Sequence, residues 1–484
     1  MPQTPHHIWQ KRLYARLFQQ PYPLFVFDDG VLPAASMWFM MREWVKIFRD
    51  AGLTPGSRVV LALPPGRAFV AALLAGVWER LTLALCPPSL NAAETASFLD
   101  ASALVVQTTT DTEVLFCTAT LPPTPDIRLL LASSGTTNAP RWFALSDENI
   151  FSVIDSHLPH LGLMRSDGAM LPSHENAVIT DYPAARVLSI LPLHHAFGLI
   201  IDFLPAMFAG AEIVRDAENG RNLEQLLRLA SEHAITHCSM VPLLVQRLMQ
   251  QERGRGFLCG LQGGVIGGAP VHTGLVPMLR QTRLRVGYGQ TEASPGITLG
   301  EAGAWTANYL GKPLGCEVRI ADGNVLEFCG ANACAGVWRR DNTCNGIEIL
   351  PSERWHSTGD IVQISNDAAL EGYIFCGRSD DNFKLSNGRF IPAVQWEAAL
   401  QQAFPQIQHV LISTRTGEVC TIHLSLNISD EEDSREWQER IAEVCTVPAD
   451  FFAEVRIIPH SAWHFTPKGS IDRRAMNALF SSEL

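Results

Sequence analysis

Charge is scarce in this 484-residue chain, with Asp, Glu, Lys and Arg together making up 18%. What charge there is leans acidic, at −12 near neutral pH, and no window of Lys and Arg is dense enough to reverse the sign locally. A general affinity for nucleic acid or for an anionic membrane surface is therefore disfavoured. Long apolar runs are also missing. The most apolar stretch, Ala68 to Trp78, is bounded by Arg67 and Glu79; it is too short for a membrane span and suits a buried helix. The 11 cysteines contain no CxxC pair, and an odd count without metal spacing reads as reduced thiols. The opening residues MPQTPHHIWQKRLYARL lack the apolar core and small-residue cleavage site of a secretory signal. A cytoplasmic location is the resulting expectation. Tandem repeats and low-complexity tracts are absent as well.

Apolar residues, at 47%, are abundant enough for a large core, and the length predicts two or three domains. The segment SRVVLALP, closed by Pro64, Pro65 and Gly66, reads as a short buried strand. RAFVAALLAGVWER then reads as a helix and LTLALCP as a second strand. This β–α–β unit implies parallel strands with the helix packed on the sheet. Apolar runs at Val187–Leu193, Ala211–Val214 and Ile235–Val241 continue the rhythm, which predicts an α/β fold. The last hundred residues differ. Val419–Leu426 and FFAEVRIIPH read as strands, and SDEEDSRE as the polar start of a helix, its carboxylates favoured by the helix dipole. A small α+β domain is expected to begin near Cys376–Asp381.

The stretch Leu131–Arg141, LASSGTTNAPR, follows the apolar run RLLLA. Glycine and small hydroxyl residues let backbone N–H groups approach an anion and add donors of their own, so the loop reads as a phosphate cradle. It is not the GxxxxGK[ST] pattern, which disfavours a P-loop NTPase. Further segments follow in order: LPLHHAFGL at Leu191–Leu199, GGAP at Gly267–Pro270 and GYGQTE at Gly287–Glu292. After them come WHSTGD at Trp355–Asp360, GRSDDNFK at Gly377–Lys384 and TPKGSIDR at Thr466–Arg473.

Taken together, from about Arg58 to Arg474, these segments resemble the adenylate-forming superfamily of AMP-forming ligases: acyl- and aryl-CoA synthetases, peptide-synthetase adenylation domains and luciferases. The resemblance implies a large α/β N-terminal domain of layered sheets and helices, residues 1–379, and a smaller mobile α+β C-terminal domain, residues 380–484, hinged at Asp380. It further implies that Ser133, Ser134, Gly135, Thr136 and Thr137 close over the β- and γ-phosphates of ATP, with Arg141 supplying charge. Thr291 would hold the α-phosphate, and Glu292 the Mg²⁺ that neutralises phosphate oxygens. Gly268, Ala269 and Tyr288 would enclose the adenine, Gly289 would belong to the same ATP site, and Asp360 would accept both ribose hydroxyls, with Arg378 near the ribose and phosphate. His195 would lie beside the acyl group, in a pocket with Phe197, Gly287, Ala293 and Gly296.

Three departures from the family pattern matter. The phosphate loop carries Asn138 and Arg141 where glycine and lysine are usual. Aligned on Arg473, the position of the adenylation lysine is Ser470, and Lys468, two residues earlier, is the expected substitute catalytic residue. The acceptor-facing loop, KLSNGRFIP, has Lys384, Asn387 and Gly388 in the form seen in long-chain synthetases and carboxylate-reductase adenylation domains. The segment HHAFG holds no carboxylate until Asp202, so an aryl, fatty or cyclic acid is expected rather than an α-amino acid. The acyl group would then pass to a thiol, either coenzyme A or a carrier protein in trans. The alternative acceptor is the amine of an amino acid, as in amide ligases resembling coronafacate ligase. A rival of another class is a non-catalytic relative that binds nucleotide without turnover.

Overall fold

The computed structural model describes residues 7–20, 24–107, 112–133, 140–163, 185–271, 273–341, 344–351, 353–367, 370–414, 419–426, 434–465 and 471–482. The chain divides into two compact units: Met1–Val318 with Phe328–His356, and Arg319–Glu327 with Ser357–Leu484.

The expected β–α–β unit is present in the first. Strands Arg58–Ala62 and Thr82–Leu85 pair in parallel, Val59 opposite Leu83, and are joined by the helix Arg67–Trp78. That helix is buried from Phe69 to Trp78, as befits a helix that is apolar on every side. These strands lie centrally in an eight-stranded sheet whose order begins with Asn345–Ile349, Gly336–Arg340, Trp142–Ser146 and Ile127–Ala132. It continues through Thr82–Leu85, Arg58–Ala62, Ala103–Gln107 and Thr112–Phe116.

A second parallel run positions the candidate site. Strands Leu24–Phe27, Glu212–Arg215 and Arg186–Ser189 pair in parallel in that order. The run Ile235–Val241, expected as a strand, forms only isolated parallel bridges, Val187 to His237, His237 to Gly263 and Met240 to Ile266. The chain there stays extended beside its neighbours without a continuous ladder. Val265–Gly267 then pairs in parallel with Arg285–Tyr288, Gly267 facing Gly287.

In the second unit, strands Ile407–Thr414 and Cys420–Leu426 are antiparallel and Phe452–Ile457 adds in parallel. Helix Ser434–Cys445 covers this sheet, burying Trp437, Ile441 and Cys445 with Ile422, Leu424 and Phe452. The polar start read from the sequence is thus followed by a helix with one apolar stripe. Among the described residues no helix is long and apolar enough to cross a membrane.

Candidate active site

Parallel strands deliver their following loops to one edge, and in α/β sheets that carboxyl edge is where ligands bind. Here Arg186–Ser189 leads into Leu191–Phe197, Val265–Gly267 into Gly268–Pro270, and Arg285–Tyr288 into Gly289–Glu292. Three segments singled out in the sequence therefore converge. Their approach is close: a Cβ on Gly267 would stand 2.6 Å from the Gly287 carbonyl oxygen and 3.5 Å from Phe197 Cζ. Gly268, exposed and at φ +83°, sits in the left-handed region that glycine adopts without strain. Ala269 and Tyr288 are half-buried nearby in sequence on the same two strands' ends.

The turn after Tyr288 is held on several sides. Thr291–Ala293 forms a short 3₁₀ segment, with the Ala293 amide donating to Gln290 O and the Ser294 amide to Thr291 O. The Cys334 amide donates to Glu292 O at 2.8 Å, and Asn332 Nδ2 to Gly296 O at 2.7 Å. Residues 331–333 are fixed in turn by Asn149, whose Nδ2 donates to the Ala331 and Ala333 carbonyls. Asn149 is itself locked by a reciprocal cap with Ser146 at the start of helix Asp147–His157. Thr291 and Glu292 stay half-buried, whereas Ala293 is fully buried among Ile297, Phe328 and Ala333.

The phosphate-loop segment spans a hairpin. Strands Ile127–Ala132 and Trp142–Ser146 are antiparallel, and the Ser133 amide donates to Arg141 O at 2.8 Å. Ser134, Gly135, Thr136 and Thr137 lie outside the described residues. Arg141 is exposed, its guanidinium carbon 5.0 Å from the Phe143 ring centre. Burial pushes the Cys334 thiol up to about 12, the Glu292 carboxylate adds to the rise, and Arg141 opposes it. The Cys334 amide on Glu292 O and the next amide, Ala335 on Ala144 O at 2.9 Å, tie this turn to the strand that follows the phosphate-loop segment. A single half-buried carboxylate such as Glu292 is the kind of protein ligand that Mg²⁺ takes together with phosphate oxygens.

His195 is half-buried where the chain enters the helix Phe197–Phe203, its amide donating to Pro192 O and its carbonyl accepting from the Leu199 amide. Its ring lies 4.5 Å from that of His194. Burial, then the charges of His195 and Arg215, lower His194 to about 3, so His194 is neutral near pH 7. Gly296 lies against His157: a Cβ there would be 2.7 Å from His157 Nε2. His157 is buried, with Nδ1 3.0 Å from both the Val153 carbonyl and Ser156 Oγ, and burial lowers it to about 4. Sequence reading had not singled out His157; no spacing signal links it to the 293–297 stretch.

The second unit carries Asp360 and Arg378. They face each other across antiparallel strands His356–Ile364 and Tyr373–Arg378. Arg378 Nη1 donates to Asp360 Oδ1 at 2.8 Å and to Thr358 O at 3.0 Å. Thr358 Oγ1 donates to Leu326 O and accepts from the Asp360 amide, fixing the buried carboxylate's backbone. Asp380, its side chain 83% exposed, stands 3.7 Å from Arg378 Nη2. Lys384, Asn387 and Gly388 are exposed on a small hairpin, where Asn387 Oδ1 accepts from the Arg389 amide and Gly388 takes φ +83°. Lys468 and Ser470 lie outside the described residues, flanked by the antiparallel bridge between Phe465 and Ile471. Arg473, read only as an alignment anchor, pairs with Asp381 at 3.3 Å and also with Glu397. Burial lifts Glu397 to about 7 against the pull of Arg473.

Residues 106–336 match the family model described as AMP-binding enzyme. Acyl-CoA ligase SID4 of Ajellomyces capsulatus is 36% identical over 198 residues, 36% of this chain and 33% of that protein. Curated relatives are longer, and the chain spans from 4% to 50% of their length. The fold matches that of ATP-bound MatB from Rhodopseudomonas palustris, with a TM-score of 0.72, 17% identity and coverage of 97% and 99% of the two chains. It also matches the amide bond synthetase McbA from Marinactinospora thermotolerans, at 0.72, 18%, 97% and 99%. Residues 106–336 of this chain thus carry the domain of the AMP-binding enzymes.

Proposed function

We propose that this protein uses ATP to convert a non-amino carboxylic acid to its acyl-adenylate, releasing pyrophosphate, and then transfers the acyl group to a thiol. The observation that carries the reading is the convergence of Gly268, Tyr288 and the Thr291–Glu292 turn at the carboxyl edge of parallel strands, with the strand after the phosphate loop tied to that turn through Cys334 and Ala335.

A carboxylate is a poor electrophile. One of its oxygens attacks the α-phosphorus in line, the bond to the pyrophosphate oxygen breaks, and the acid becomes a mixed anhydride with AMP as its leaving group. Such a step needs mainly positioning and neutralisation of phosphate charge. Thr291 holds the α-phosphate, Arg141 and the Ser133–Thr137 loop hold the leaving pyrophosphate, and Gly268, Ala269, Tyr288 and Gly289 receive the adenosine. Glu292 holds the Mg²⁺, which supplies charge neutralisation when bound. On the second unit, Asp360 accepts from the ribose and Arg378 fixes that carboxylate; Lys468 bridges acid and phosphate. Residues 380–484 form the C-terminal domain, hinged at Asp380, and Lys384, Asn387 and Gly388 face the acceptor.

Similarity to an acyl-CoA ligase favours coenzyme A or a carrier-protein thiol as acceptor. The shared fold with an amide bond synthetase supports a second reading, in which the acceptor is an amino-acid amine. Incubation with ATP, Mg²⁺, a panel of aryl, fatty and cyclic acids and either coenzyme A or mixed amino acids, followed by mass identification of products, decides between them. AMP with an acyl thioester supports the first, AMP with an amide the second. Bound nucleotide with neither product, over the whole panel, leaves only a nucleotide-binding role.

A further inference from the structure

Asp202 lies on the helix Phe197–Phe203 and is 4% exposed. Hydroxyls of Ser189 and Ser239 hydrogen-bond its carboxyl group, yet Oδ2 has no partner. His237, 3% exposed, likewise leaves Nε2 without one. Both residues line one small internal cavity with Leu161, Val187, Ile201 and Ser239. Buried polar atoms are rarely left unpaired, so two facing the same space call for an occupant.

The chemistry of that occupant follows from the neighbours. Thr236 Oγ1 donates its proton to Arg186 O at 3.1 Å and accepts from the Arg186 amide at 2.9 Å. Its 2.8 Å contact with His237 Nδ1 holds the ring in place. Burial keeps His237 neutral by lowering it to about 4, so one of its ring nitrogens donates and the other accepts. Gly162 is beside Nε2 but makes no aligned bond to it. Asp202, raised by burial to about 6, is ionised above that pH. The Asp202 carboxylate faces the cavity as an acceptor, so the cavity takes a donor.

The cavity also has a defined place. Phe197, at the head of the helix, is the residue that reaches Gly267 at the edge of the parallel strands. Asp202 is five residues further along the same helix, roughly 6–8 Å deeper at a helical rise near 1.5 Å per residue. Ser239 and Gly264 form the strand side of that deeper level. An aryl or cyclic acid with its carboxylate near His195 would direct its far end there.

We propose that this cavity is the inner end of the acyl site and that Asp202 selects acids whose tail, remote from the carboxylate, carries a hydroxyl or amino group. The inference rests on the acid-activating reading above and names its substrate class. A tail ending in methyl leaves Asp202 dry and unpaired, and sites built around such a hydrogen bond reject analogues lacking it strongly.

The test uses the full chain and matched acids in acid-dependent pyrophosphate exchange: 4-hydroxy- and 4-aminobenzoate against 4-methylbenzoate, and hydroxylated against methylated cyclohexanecarboxylates. The expected ratio of kcat/KM, donor tail over methyl tail, is about 100 or more in at least one pair. In Asp202→Leu that ratio falls to within about tenfold of unity, and Asp202→Asn and His237→Phe, should the first not fold, lower it in the same direction. A wild-type ratio near one overturns the proposal and leaves the cavity to water, as does an unchanged ratio in a folded Asp202 variant. Exchange with no acid at all overturns the acid-activating reading and this inference with it.

Discussion

Gly289 joins Tyr288 to the Thr291–Glu292 turn, and the structure allows nothing larger there. An ideal Cβ would fall on the Pro295 carbonyl oxygen, 2.6 Å from Pro295 C and 3.3 Å from Gly296 N. A carbon and a carbonyl oxygen settle no closer than about 3.3 Å, so the Pro295 carbonyl oxygen must retreat by roughly 2 Å to admit the methyl group of Gly289→Ala. It cannot retreat alone. The Ile297 amide donates to Tyr288 O at 3.1 Å and Asn332 Nδ2 to Gly296 O at 2.7 Å, so the displacement passes to both ends of the turn. Overpacking of this kind costs about 3 kcal/mol or more, at roughly 1–2 °C of melting temperature per kcal/mol in a unit of about 350 residues. Activity is expected to fall further, by about 100-fold or more, because a displacement of even about 1 Å misplaces Thr291 and Glu292. Thermal melting and pyrophosphate exchange on the same preparation measure both. A folded Gly289→Ala protein exchanging at the wild-type rate would refute the placement of this turn at the reacting phosphate.

Acid should destabilise the first unit through His157, whose folded-state value of about 4 lies below its ordinary 6.5. The neutral ring's contribution is complete above pH 6.5 and is lost as pH falls through that value towards 4, a change on the order of 3 kcal/mol when complete. Denaturant midpoints at pH 7.5 and 5 check this. His157→Gln should lose less stability over that interval than wild type, and an equal loss would contradict the assignment. Lys468→Ala should lower adenylation by about 100-fold or more while sparing acyl transfer from supplied acyl-adenylate; equal adenylation in the variant would remove Lys468 from that role.

Local periodicity carried much of the fold. The Arg58–Leu85 β–α–β unit was readable because its helix is apolar all round and its strands are short, uninterrupted apolar runs bounded by proline and glycine. The extended stretch at Ile235–Val241 was harder, since its ladder depends on neighbours more than 20 residues away in sequence, and only isolated bridges form. In the site, Gly268, Tyr288, Thr291 and Glu292 were legible from motif order. The partners that hold them were not: Asn149 reaches Ala331 and Ala333 across the fold, and Asn332 reaches Gly296. The cavity at Asp202 was equally hidden, because an aspartate inside an apolar run shows neither its burial nor its unpaired oxygen. Arg473 illustrates a middle case. Motif alignment found it, while only the folded second unit shows it tying Asp381, beside the proposed hinge, to Glu397.

Adenylation is reversible before any acceptor arrives, so the most direct test is acid-dependent exchange of labelled pyrophosphate into ATP by the wild-type chain with Mg²⁺. Label is expected to enter ATP only when an aryl, fatty or cyclic acid is present, with neither coenzyme A nor an amine required. Nucleotide binding without exchange, across a broad panel of such acids, would contradict the central claim that this protein activates a carboxylic acid.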